Sequence, residues 1–325
     1  MTRGQPETAS HRARHGPHQL AALARRLAAS ALIVWASVAG SKPSPAAVGG
    51  VVSYADGEPF TVIRRDSLMS GSKGVALVAG DLVATGSNAF LVVQAPDGTL
   101  IGVGPTTEVF FADRGEVATL FVLKGWVKAD TKAAPIRIVG TRLGLQGHQA
   151  VMLLYVDERS GAAYDEQGAV TVLVPDAAGA PVVREPGPNH FFSREDRFDL
   201  LSQPSPSADF VKKMPVAFRD PLPAFPTLPE PVPPQRLRAV NFADIQNWLT
   251  MPREWRSGFV ERFRGRLKDP AFFAAMDAHQ AQLPEWAPIL HPSPASDSDR
   301  THDAPQAKAK PAPHKAQSQQ GDESR

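Results

Sequence analysis

The stretch that decides the fold is "LVAGDLVATGSNAFLVVQAPDGTLIGVGPTTEV", residues 77 to 109. Short apolar runs alternate in it with Gly-Asp, Thr-Gly, Asp-Gly and Gly-Pro pairs, and side chains suited to chemistry are almost absent. Its centre sets two apolar runs around Pro96-Asp97-Gly98. Asp-Gly tolerates the positive φ that a tight turn needs, so the segment predicts a β-hairpin.

The same grammar extends in both directions, from Val48 to Phe192. "GGVVSYADGEPFTVIRR" turns at Asp56-Gly57, and "ATLFVLKGWVKAD" is interrupted at Lys124-Gly125. "APIRIVG" and "AVMLLYVDE" each read as a strand, and "YDEQGAVTVLVPDAAGAPVV" reads as a pair about Asp176 to Gly179. Strands recurring at roughly 8 to 12 residue spacing between Gly, Asp and Pro predict a compact β-roll or sandwich of short strands. The fold class expected is therefore mainly β.

Pro-dense sequence follows, "QPSPSADFVKKMPVAFRDPLPAFPTLPEPVPPQ" over 203–235. Pro blocks helix interiors and central strands, so 193–238 reads as a linker, laid along the domain by Phe210, Phe218 and Phe225. A small helical unit is expected over 239–291. Asn241 caps "FADIQNWLT", Pro252 starts "PREWRSGFVERFRGRLK", and Asp269-Pro270 opens "DPAFFAAMDAHQAQL". Phe272, Phe273, Met276 and His279 fall at helical spacing in the last of these. The polar residues 292–325 read as a disordered tail.

At the other end, Arg3, Arg12, Arg14, Arg25 and Arg26 precede the 14-residue apolar run Leu27 to Gly40. A basic region, an apolar run and small residues at Ser37-Val38-Ala39 and Pro45-Ala46-Ala47 make a secretory signal over 1–47. The run is shorter than the roughly 20 residues that span a bilayer. Export to the periplasm is the expectation, with an uncleaved inner-membrane anchor as the alternative. Lys plus Arg (35) balances Asp plus Glu (33), so bulk charge does not point to nucleic acid. Cysteine is absent, which excludes disulfides and thiolate chemistry.

Candidate chemistry is sparse. Gly140 to His148, "GTRLGLQGH", is Gly-rich after a strand, but its spacing is not that of a dinucleotide loop and no helix pattern follows. Asp157, Glu158, Asp165 and Glu166 supply the carboxylates a glycosidase needs, yet they flank "RSGAAY" as hairpin-solvating charges do. His148, His190, His279 and His291 lack metal-ligand spacing. His190, Ser193 and Asp199 match a catalytic triad in composition alone. Arg253, Arg256, Arg262, Arg264, Arg266 and Lys268 decorate one expected helix, where a solvated outer face is favoured over a lipid- or polyanion-binding one. Trp126, Trp248 and Trp255 are the aromatics to inspect for contacts, each at an apolar periodic position that favours packing. No catalytic, cofactor-binding or metal-ligating residue is assigned, and no cofactor is expected.

With the strands laid out, "AGDLVATGSNAFLVVQAPDGTLIGVGPTTEVFF" resembles the FecR domain. The resemblance rests on Gly80-Asp81, Thr85-Gly86, Asp97-Gly98 and Gly104-Pro105-Thr106-Thr107, followed by Leu123-Lys124-Gly125-Trp126-Val127 and, weakly, Ile138 to Gly147. It covers about 50–190. The family implies a periplasmic sensing domain behind a cytoplasmic segment that controls a sigma factor. Only about 26 residues precede the apolar run here, without a helical Trp-containing pattern, so anti-sigma activity is not carried over. The resemblance implies a free-standing, non-enzymatic envelope protein that binds another envelope protein or cell-wall glycan. A membrane-anchored signalling regulator and a carbohydrate-active enzyme are the alternatives.

Overall fold

In the computed structural model, the described residues are 49–112, 117–175, 181–184, 189–196 and 199–292. The leader over 1–47, the tail from Ser293 and the turn tip at Asp176 to Gly179 lie outside them. The molecule is mainly β, with a small helical region at the C-terminal end. The first strands are β1 (Gly50–Asp56), β2 (Phe60–Arg64), β3 (Ser67–Gly71), β4 (Ala76–Leu77), β5 (Leu82–Ala84), β6 (Phe90–Gln94), β7 (Leu100–Val103) and β8 (Glu108–Ala112). Three long strands dominate the rest: β9 (Ala118–Asp130), β11 (Gly144–Val156) and β12 (Ser160–Pro175). Shorter ones are β10 (Ile136–Val139), β13 (Pro181–Arg184), β14 (Phe191–Glu195), β15 (Leu201–Gln203) and β16 (Gln235–Ala239).

All sixteen described strands belong to one sheet, whose main path runs β15-β14-β12-β11-β10-β9-β8-β5-β2-β3-β16. The predicted hairpin at 96–98 joins β6 to β7, with Leu91 opposite Val103 and Gln94 opposite Leu100. Asp97 closes it by accepting from the Thr99 amide at 3.0 Å and the Thr99 hydroxyl at 3.0 Å.

The long strands explain how one sheet encloses a core. On β9, even-numbered Ala118, Leu120 and Val122 face the central core, but beyond Gly125 the odd-numbered Val127 and Ala129 do. β11 switches from Leu145 to Ala150, Met152 and Leu154, and β12 from Ala163 to Val170, Val172 and Val174. A strand's side chains alternate with period two, so each switch needs one extra residue, a β-bulge. The residues with positive φ at the three switches are Gly125 (92°), Gln149 (49°) and Gly168 (92°). Both halves of every long strand thus face the same interior.

The sheet's outer surface is apolar as well, and two covers bury it. β8 is buried along its whole length, which requires cover on both faces. The first cover is the Pro-rich segment. Phe210, Met214, Phe218 and Leu222 pack on Val92, Leu100, Trp126, Leu153 and Phe191. Residues 193–238, expected as a linker, carry the end of β14, all of β15, the helix α1 (Ala208–Lys213), and β16 paired with β3. Two polar clamps hold this arm. Lys128, almost fully buried on β9, donates to the carbonyls of Phe218 (2.8 Å) and Asp220 (3.2 Å) and pairs with Glu166 at 2.8 Å. Gln94 donates to the Phe225 carbonyl at 3.1 Å and accepts from its amide at 3.2 Å.

The second cover is the helical region: α2 (Phe242–Ile245), α3 (Arg253–Arg256), α4 (Phe259–Phe263), α5 (Pro270–Ala278) and α6 (Ala287–Leu290), with 3-10 turns between them. Helices this short are not stable alone. They gain by burying Ile245, Trp248, Phe259, Phe263 and Trp286 against Ile63, Leu82, Phe110, Phe121 and Leu173 of the sheet, about 2 kcal/mol per large side chain. The predicted caps are in place: Asn241 and Asp244 form a reciprocal capping box, and Asp269 accepts from the Ala271 and Phe272 amides. The continuous helix expected over 252–268 is not formed. It breaks at Ser257-Gly258 and tightens to a 3-10 turn over Arg264–Lys268, because two glycines weaken it and docking on the sheet decides the geometry.

Candidate functional site

The two covers leave a seam where β9 passes from beneath one to beneath the other, at Lys124-Gly125-Trp126. The turn motifs build this crossing. Thr85 donates its hydroxyl to the Gly104 carbonyl at 2.7 Å and accepts from the Thr107 amide at 2.8 Å. Thr107 in turn accepts from the Trp126 amide at 2.9 Å. A side chain at Gly125 would place its Cβ 2.3 Å from that hydroxyl, so glycine is required there on steric grounds as well as by its φ.

Along the seam runs a groove of three connected clefts. The first, about 410 Å³, is walled by Asn247 and Thr250 of the helical cover, by Glu108 and Lys124 of the sheet and by Arg142 of the β10–β11 turn. The second, about 380 Å³, shares Lys124, Asp157 and Glu158 with the first and is closed by Lys213 and Pro215 of the arm. The third, about 290 Å³, shares Trp126, Tyr155 and Lys213 with the second and reaches Ser193 and Gln203.

Its polar groups are held in place. Glu108 is 9 % exposed. Its Oε1 accepts from Asn247 Nδ2 at 2.9 Å and pairs with Lys124 Nζ at 2.9 Å, while its buried Oε2 has no hydrogen-bond partner. Arg142 donates to the Thr141 hydroxyl (2.7 Å) and the Glu158 carbonyl (2.6 Å) and pairs with Asp196. Asp157 ties the β11–β12 turn by accepting from the amides of Arg159 (2.9 Å) and Ser160 (2.7 Å) and from the Ser160 hydroxyl (2.8 Å). Partial burial pushes its pKa up, but these bonds and one from Tyr155 outweigh burial and hold it below the ordinary carboxylate range. Burial raises the Tyr155 hydroxyl pKa, with Asp157 adding to the effect. The Tyr155 ring lies 4.4 Å from that of Trp126.

The four acids named from the sequence separate accordingly. Asp157 and Glu158 share the groove. Glu166 is the partner of Lys128 beneath the arm. Asp165 is buried in β12 with neither carboxylate oxygen hydrogen-bonded to a side chain. Burial pushes its pKa up to about 6, against the opposing pull of His190 and the Gln167 amide.

Gly140 to His148 forms the β10–β11 hairpin, with Val139 opposite Gly144. His190 stands near Asp165, Ser193 lies in the third cleft, and Asp199 is exposed ahead of β15. His279 bonds to the Ala275 carbonyl at 2.8 Å, His291 pairs with Asp277 at 2.6 Å, and His148 is exposed. Among the described residues there is no cluster of three His, Cys, Asp or Glu with metal-binding geometry, and no helix long and apolar enough to cross a membrane.

Trp126 and Trp248 are buried and Trp255 is half-buried, its ring 4.9 Å from Phe121. The arginine-rich segment divides: Arg253, Arg264 and Lys268 are exposed, whereas Arg256, Arg262 and Arg266 turn inward. Arg262 donates to the carbonyls of Ile63 (2.6 Å), Arg65 (2.6 Å) and Gly80 (2.7 Å). The solvated face expected for this segment therefore holds for half of its cations, and the others fasten it to the sheet and to its own turns. Of the groove residues, sequence reading missed Glu108, Lys124, Arg142 and Tyr155. Glu108 heading the apolar run "VFFA", and Tyr155 closing "VMLL", are the signals that mark them.

No protein-family model matches the sequence, and no curated protein matches it. Among solved structures, the chain is similar to two crystal structures described as "a putative anti-sigma factor from Parabacteroides distasonis ATCC 8503", at 1.65 and 2.50 Å resolution. Sequence identity is 15% and 14%, with a TM-score of 0.34 in both. The match covers 40% of this chain and 62% of that protein's, so this chain spans less than two thirds of its length.

Proposed function

We propose that the chain is an exported, FecR-type interaction protein of the cell envelope, without an enzymatic activity of its own, and that the groove between its two covers is its contact surface. One observation carries this reading. Thr85, Gly104 and Thr107 of the FecR-like pattern are spent on building the crossing at Gly125, and the groove opens directly over that crossing. Asp157, the acid there with the most hydrogen bonds, is committed to its own turn. The partner is an envelope protein or cell-wall glycan.

Export is tested by fractionation with N-terminal sequencing. A periplasmic protein beginning after Ala39 or Ala47 is expected. An intact N-terminus in the membrane pellet instead supports the anchored regulator. Retention of an envelope component by the intact chain, lost in a Glu158→Arg variant, tests the contact surface.

A further inference from the structure

We infer that the groove binds a neutral oligosaccharide, a proposal that rests on the reading of the groove as the contact surface. Three clefts in succession, each sharing wall residues with the next, suit a chain of repeated small units better than one compact ligand. Charges of both signs are interleaved along it. Lys124, Arg142 and Lys213 stand among Glu108, Asp157 and Glu158, so no single-signed field is available to attract a polyanion. Hydroxyl-rich ligands are matched by such a lining, since each hydroxyl both donates to a carboxylate and accepts from a cation or amide.

Two further observations narrow the class. Midway along the groove, where the second and third clefts meet, the half-buried Tyr155 ring packs at a 33° tilt against Trp126 and offers an apolar surface for the C–H face of a pyranose ring. Glu108, nine-tenths buried, keeps one carboxylate oxygen without a partner at the wall of the first cleft, an acceptor that a sugar hydroxyl would satisfy after a small side-chain shift. At the second cleft an added peptide strand does not fit: β9 and β11 are hydrogen-bonded on both sides at Trp126 and Tyr155, so no open sheet edge lies under it.

The test is titration of the purified full-length chain with chitohexaose, maltohexaose and heparin, followed by calorimetry and tryptophan fluorescence. Saturable binding of one neutral hexasaccharide, with a dissociation constant in the millimolar range or tighter, is expected. Tyr155→Ala should weaken it at least tenfold. Tyr155→Phe, which keeps the ring, should stay within threefold, and the exposed-site change Glu158→Arg should weaken it severalfold without altering the melting temperature. No binding of either neutral hexasaccharide at ten millimolar overturns the proposal, as does binding of heparin alone or affinity unchanged in all three variants. Failure here leaves the export result untouched, and an anchored, unexported chain would still bind sugar in this assay.

Discussion

Arg64 holds Asp81 through two parallel bonds, Nε to Oδ1 at 2.8 Å and Nη2 to Oδ2 at 2.6 Å, and Asp81 is fully buried. The same carboxylate accepts from the Val78 amide at 2.9 Å, and Arg64 also donates to the Ala76 carbonyl at 2.8 Å. The aspartate of the Gly-Asp pair is thus a staple between β2 and the turn that enters β5. Asp81→Ala leaves a guanidinium and an amide without their acceptor and is expected to cost about 3 kcal/mol. Asp81→Asn keeps one acceptor and should cost about half that. Urea unfolding of the two variants measures the difference.

Lys128 predicts how the arm behaves. Its ammonium donates to the Phe218 and Asp220 carbonyls and neutralises Glu166. Lys128→Ala leaves those acceptors unpaired, with an expected loss of about 3 kcal/mol. Cleavage should rise selectively within 215–225. Lys128→Met, which fills the same volume, still lacks the donor and should behave similarly. Limited proteolysis with mass mapping distinguishes this local release from general unfolding, which would expose β9 and β11 equally.

Arg262 fixes the helical cover by a planar fork over three carbonyls while lying 5.1 Å from the Phe263 ring. Lysine offers a point charge that cannot span the same three oxygens. Arg262→Lys should therefore destabilise by about 1–2 kcal/mol, and Arg262→Ala by about 3 kcal/mol. The effect should be seen first as faster amide exchange in α4 and α5, with the central core strands unaffected.

What was legible in the sequence follows from distance along the chain. The hairpin at Asp97-Gly98 and the caps at Asn241 and Asp269 are made by residues within four positions of each other, so local chemistry announces them. The bulges are half legible: Gly125 and Gly168 mark two, whereas Gln149 adopts positive φ with no residue signature of it. Alternation was blurred wherever both faces of a strand are covered, as in "EVFFA". The groove is legible only in single residues such as Trp126, Asp157 and Glu158, and not as a site. Glu108 meets Asn247 across 139 residues, and the seam exists only because two separate segments dock and stop short of each other.

Asp165 gives a pH dependence whose sign is fixed by burial. Its native pKa is pushed up to about 6 from 3.8, so between these values the folded chain holds a proton that the unfolded chain releases. Stability from this residue therefore falls as pH rises from about 4 to 6, and above that the cost levels off at no more than about 3 kcal/mol, at roughly 1.4 kcal/mol per pH unit. Asp165→Asn removes the charge while keeping the shape. It should raise the melting temperature at pH 7.5 and lose that advantage at pH 4. Parallel thermal melts across this range, with His190→Gln as the companion variant that withdraws the opposing imidazole, measure both effects. A wild-type advantage over Asp165→Asn that grows with pH would show instead that the carboxylate is stabilised as an ion by His190.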